Sequence, residues 1–117
     1  MTNSASFLVP WPPSVNKMRI AIRGRLISAP EYRDWLVEAG AAVSGQNPDT
    51  FTGPVEVDIA LGPPRKYKFD IDNRIKPILD LMVTLGIIED DNCDILTKLT
   101  VALDRETCGA MVTVRAA

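Results

Sequence analysis

The sequence predicts an α+β fold: a small single domain, residues 1–117, in which a mixed or antiparallel sheet packs against two main helices. Three observations predict it. The chain has 117 residues, 46% of them hydrophobic, enough for one core and too few for two. Strict apolar–polar alternation around Val55, Val57, Ile59 and Leu61 stands between two stretches of helical period, at 30–45 and 73–85. Proline and glycine clusters punctuate these segments, and there is no internal repeat, low-complexity tract or heptad run.

Taken in order, residues 7–9 form a short apolar strand that runs into Pro10-Trp11-Pro12-Pro13. Proline cannot continue a ladder, so this is an edge strand or a strand exit. Trp11 fits either a packing residue among prolines or a platform for a base. Ser14-Val15-Asn16 leads to a hairpin, 18–22 against 25–27, turning about Arg23-Gly24 and projecting its basic residues on one side. That hairpin is either a DNA-backbone contact or a structural element with a solvated face.

Ser28-Ala29-Pro30-Glu31 has the pattern of a capping box, with serine as N-cap and proline in the first turn. Tyr32, Trp35, Leu36, Ala39 and Val43 then give the first helix one apolar face, and Gly45 with Asn47-Pro48 ends it. After the alternating strand, Gly62-Pro63-Pro64 stops the ladder and a basic loop leads to Asp70. In an extended segment Asp70 and Asp72 point to one side while Ile71 anchors in the core. From about Asn73 the period turns helical through Ile75, Ile78, Leu79, Met82 and Leu85; Pro77 predicts an irregular or delayed first turn, and Gly86 a stop. Leu99, Val101 and Leu103 alternate in a strand that a turn at 104–109 joins to 110–114, a closing antiparallel hairpin. Cys93 and Cys108 match no disulfide framework or zinc spacing and read as reduced, partly buried packing residues.

The chemistry concentrates between Lys68 and Asp91. Asp70 and Asp72 precede the second helix, Arg74 and Lys76 follow them, and Glu89, Asp90 and Asp91 lie beyond it. A helix folded back on its flanking strands brings Asp70, Asp72 and one of the three later acids to a single pocket. With no histidine in the chain, carboxylate, lysine, tyrosine and metal remain for catalysis, and a carboxylate set suits a hard cation such as Mg²⁺. An EF-hand is excluded, because Ile95 stands where its loop needs glycine. The plain alternative is that these acids are solvated turn residues and helix caps.

The net charge of −2 conceals an uneven distribution. With Asp70, Asp72, Glu89, Asp90, Asp91 and Asp94 set aside, 13 basic residues face 9 acids. Lys17, Arg19, Arg23 and Arg25 stand in the first 30 residues without a single acid, while Arg65, Lys66, Lys68 and Arg74 crowd around the aspartate pair. Local basic surfaces of this kind suit a phosphate backbone. No apolar run approaches the roughly 18 residues of a membrane span, and no signal-peptide pattern opens the chain, so the expected location is cytoplasmic.

Val9-Pro10-Trp11-Pro12-Pro13-Ser14-Val15-Asn16, Tyr32-Arg33-Asp34, Phe69-Asp70-Ile71-Asp72-Asn73 followed by Lys76 and Asp80, and Asp90-Asp91 together resemble the RusA family of Holliday-junction resolvases over nearly the whole chain. The resemblance implies a RusA-like homodimer that nicks four-way DNA junctions symmetrically in recombination and repair. Its cofactor would be Mg²⁺, with Mn²⁺ as a substitute. It places the catalytic and metal-binding aspartates on Asp70, Asp72 and Asp91, with Asp90 competing for the third place, and the catalytic lysine on Lys76. Two other classes are a branched-DNA binder of the same fold without turnover and a structural or protein-interaction domain.

Overall fold

The computed structural model describes residues 4–117. Its elements are β1 (Ser4–Val9), β2 (Arg19–Ile22), β3 (Arg25–Ser28), α1 (Pro30–Gly45), β4 (Val55–Gly62), α2 (Ile75–Thr84), β5 (Leu96–Leu103) and β6 (Gly109–Ala116), with short 3-10 turns at Val15–Lys17 and Ile71–Arg74. Four strands form one sheet in the order β1-β6-β4-β5, and β2 and β3 form a separate hairpin. The α+β class predicted from the alternating periods is the one observed.

Alternation fixes which face of the sheet is covered. Val55, Val57, Ile59 and Leu61 are at most 2% exposed, and their antiparallel partners Val114, Val112 and Ala110 are fully buried. Phe7 and Val9 of β1 continue the same face. Against it lie Tyr32, Trp35, Ala39 and Val43 of α1 and Ile78, Leu81 and Met82 of α2 in one apolar cluster. The opposite face stays open, and there Arg115 bridges Glu56 and Asp58 at 3.1 and 2.7 Å.

The sheet differs from expectation at its end. β5 and β6 are not hairpin partners: β4 lies between them, parallel to β5 and antiparallel to β6. The connection at 104–108 crosses the end of β4, where Asp104 N–H bonds Leu61 O at 2.8 Å. Gly62 permits the crossing, since a Cβ there would fall inside the Thr107 carbonyl. As an edge strand β5 also fails to bury its apolar row, leaving Leu99 39% and Leu103 44% exposed.

Local signals succeed or fail for identifiable reasons. Ser28 closes β3 instead of capping α1, whose N-cap is Ala29 with no side-chain bond, because the hairpin ladder claims the serine. The delayed start of the second helix is real: a 3-10 turn occupies 71–74, and Pro77 falls in the first turn of α2, where its missing N–H costs nothing. Gly86, at φ +74°, ends α2 with paired bonds from Gly86 N–H to Val83 O and from Ile87 N–H to Met82 O, seating Ile87 in the core. Both cysteines are exposed and free, not packing residues. Among the described residues no helix is long and apolar enough to cross a membrane.

Candidate active site

The 3-10 turn sets the geometry of the first acidic pair. Asp70 caps it and Asp72 lies within it, so the segment is coiled, not extended. Ile71 accordingly turns outward, 40% exposed, and Phe69 packs against the core in its place. Asp70 Oδ2 accepts the Asn73 side-chain amide at 3.4 Å, and Asn73 N–H bonds Asp70 O. The turn feeds directly into α2, putting Lys76 in the first helical turn, one coil beyond Asp72.

The second acidic segment returns to the same place. Lys76 Nζ stands 2.8 Å from Asp91 and 3.0 Å from Asp80, its neighbour one helical turn on. These hydrogen bonds, the one to Asp91 foremost, raise the Lys76 ammonium above its ordinary pKa, and the same contact lowers the Asp91 carboxyl. Lys76 is therefore a permanent cation at neutral pH. Its neighbours are otherwise occupied: Glu89 accepts the Gly53 N–H, while Asp90 accepts Asp91 N–H at 2.7 Å and the Asn92 amide at 3.0 Å. Of the three consecutive acids, Asp91 is the one joined to Lys76.

Both acidic segments thus border the N-terminal end of α2, but their carboxylates do not close into one group. Among the described residues no three His, Cys, Asp or Glu side chains stand where they could hold a metal ion together. Like charges brought to about 5 Å repel by roughly 3 kcal/mol per pair at an effective dielectric near 20. Asp91 meets a cation, Lys76, in preference to another carboxylate.

The basic residues divide. Lys17, Arg19, Arg23, Arg25, Arg65, Lys66 and Lys68 are exposed. Arg19 lines a cleft of about 350 Å³ with Lys76 and Asp80. The hairpin does not gather its arginines on one side: Arg19 pairs with Ser28 and Arg25 with Ile22, which puts the two on opposite faces of the ribbon. Arg74 is engaged within the fold, donating to Pro12 O at 2.7 Å and lying 5.2 Å over the Trp11 ring. Trp11 itself is a packing residue, edge-on to Phe69 at 5.0 Å and donating its indole N–H to Tyr67 Oη.

Three contributors carried weak sequence signals. Asp80 orients Lys76, a role that the i,i+4 spacing allows. Tyr32 faces Asp80, and burial first, then that charge, raises its hydroxyl pKa. Arg105, from the crossing loop, joins Lys68 beside Asp70 in a second cleft of about 590 Å³ also lined by Tyr67, Phe69, Ile71 and Leu103. No periodicity could have placed it there, because its position follows from the crossover.

The family model for endodeoxyribonuclease RusA matches residues 10–115. A crossover junction endodeoxyribonuclease RusA from Aquifex aeolicus (strain VF5) is 27% identical over 93 residues, covering 79% of this chain and 74% of its own length. With the match spanning both acidic segments, the helix between them and every strand of the sheet except β1 and the last residue of β6, the chain belongs to the RusA endodeoxyribonuclease family.

Proposed function

We propose that the protein is a Mg²⁺-dependent, structure-selective endodeoxyribonuclease that resolves four-way DNA junctions by paired symmetric nicks, acting as a homodimer. The observation that carries the reading is Lys76, fixed between Asp91 and Asp80 at the helix end that the Asp70–Asp72 turn leads into. Family membership supports nuclease chemistry, and the relative's name supports the junction substrate.

Asp70, Asp72 and Asp91 would hold the ion, and an all-carboxylate set with no histidine fits a hard cation. When bound, the ion supplies an activated water and charge neutralisation at the scissile phosphate. Lys76, kept protonated by its two carboxylates, serves as a fixed positive charge toward the phosphorane oxygens and not as a proton acceptor. Asp80 would keep its hold on that ammonium with Asp91 serving the ion. Arg19, beside Lys76, and Lys68 with Arg105, beside Asp70, flank the site with charge for the neighbouring phosphates. One site makes one cut, so two symmetric cuts call for two copies related by a two-fold axis.

The test is nicking of a synthetic four-way junction and of linear duplex, with Mg²⁺ and with chelator. The junction alone is cut, and only with the ion. Asp70→Asn and Asp72→Asn abolish cutting while junction binding persists. Binding without cutting by the unaltered protein would favour a junction-binding role instead.

A further inference from the structure

Every residue of the β2–β3 hairpin is exposed, although most of them are apolar. Leu26 is 70% exposed, Ile22 46%, Ile27 39% and Ile20 37%, and none of the four is packed against the hydrophobic core. The register divides them between the two faces of the ribbon: Ile20, Ile22 and Ile27 share one, and Leu26 takes the other. The ribbon is nonetheless well fixed. At its base Met18 and Ala29 are buried, and Ala29 N–H bonds Met18 O at 2.9 Å. At its tip Arg23 and Gly24 have φ of +53° and +77°, the left-handed pair that closes the tightest hairpins. A two-stranded ribbon alone is marginal in water, and aliphatic side chains on both faces call for cover on both.

The charges on the ribbon identify the cover. Lys17 and Arg19 stand at its base and Arg23 and Arg25 at its tip, all exposed, and no acid precedes Glu31 in the chain. Arg19 also lines the cleft that holds Lys76, so the ribbon rises from the rim of the site. Cations at base and tip suit phosphates, but phosphates give nothing to the aliphatic residues between them. Unstacked bases do, and a wedge pushed between base steps is covered on both faces at once. A second copy laid against the ribbon would cover one face only and bring arginines together.

We propose that the β2–β3 hairpin is an apolar wedge for the branch point of the DNA. Ile20, Ile22, Leu26 and Ile27 enter among base pairs opened at the crossover, while the cations at the base and tip of the ribbon hold the phosphates on either side. The inference rests on the junction-nuclease reading and deepens it, because it names what the protein distinguishes. Pairs at a branch are stacked on one side only and open readily; pairs inside an uninterrupted duplex resist entry.

The test uses aminopurine, which brightens when it unstacks, in place of an adenine beside the branch of a synthetic four-way junction. In chelator, so that nothing is cut, the unaltered protein raises fluorescence at the branch and not in the middle of an arm. Ile20→Thr, Ile22→Thr, Leu26→Thr and Ile27→Thr together keep strand propensity and every charge. That variant melts with the parent, loses the rise, and binds the junction at least about tenfold more weakly with the same salt dependence. Leu26→Thr alone, at the most exposed of the four positions, costs about threefold, a loss that does not depend on the quadruple variant keeping its hairpin. Arg23→Gln with Arg25→Gln instead weakens junction and linear duplex alike and lowers the salt slope by about 2. A rise that survives the threonines, or threonines that weaken junction and duplex equally, overturns the wedge. So does a threonine variant that keeps the junction yet changes in sedimented mass or loses binding to anionic lipid vesicles, which would assign the ribbon to a second copy or a membrane. Nicking is scored separately: a junction cut while its aminopurine stays dark overturns the wedge and keeps the nuclease reading, and a branch opened but never cut does the reverse.

Discussion

Replacing Lys76 with methionine separates a catalytic charge from a structural one. The substitution keeps the length and apolar stem of the side chain and deletes the ammonium that contacts Asp91 at 2.8 Å and Asp80 at 3.0 Å. Lys76 is half exposed, so each ion pair contributes about 0.2–1 kcal/mol, and losing both costs about 1 kcal/mol. Against a typical stability of about 5–15 kcal/mol the fold remains fully populated at 25 °C, and the melting temperature falls by roughly 5 °C. Removing a fixed charge from a developing oxyanion costs about 3–4 kcal/mol, or roughly 100- to 1,000-fold in rate. The variant should therefore melt nearly as the parent does, bind a four-way junction, and nick it at least about 100-fold more slowly under single-turnover conditions. A nicking rate within about threefold of the parent would refute the role. So would a collapse of melting temperature that accounts for the lost rate.

Other consequences concern stability and its dependence on pH. Gly62→Ala drives a Cβ into the backbone of the 104–108 crossover, which has no room to yield, and should cost about 3 kcal/mol or more in urea unfolding. A parent-like midpoint would mean that the loop is not pinned there. The pH dependence has a definite sign: Asp91 is lowered in the folded protein by its bond to Lys76, and Asp58 by Arg115. Their contribution is complete above the ordinary aspartate value and is lost as pH falls through the lowered folded values. Melting temperature should therefore drop below about pH 4, and less steeply in the Lys76→Met variant. Equal acid slopes in the two proteins would count against the pair.

Much of this molecule is readable from its residues. The buried face of β4, the apolar stripe of α1, the delayed start of α2 at Pro77 and its stop at Gly86 all follow from local rules, because each is decided within a few residues. What escapes is decided by partners far away in sequence. Ser28 is capable of capping a helix, but its strand partner Arg19, nine residues earlier, uses it differently. The alternation in β5 and β6 reads as a hairpin until β4 is known to lie between them. Ile71, expected inward, points out because 71–74 coil instead of extending. For the site, the residue types and the helix between them are legible. The bond between Lys76 and Asp91 is not, since it depends on how the 85–91 segment returns beside the start of α2. Arg74 shows the same limit: its charge marks it for phosphate, yet the fold uses it to hold Pro12 and Trp11.

Binding of Mn²⁺ to the DNA-free protein, followed by electron paramagnetic resonance, tests most directly whether acids from both segments serve one ion. The account predicts that Asp70→Asn and Asp91→Asn, although 21 positions apart, each weaken binding by at least about tenfold and together scarcely more than either alone. Unchanged binding in either single variant, or fully additive losses, would contradict it.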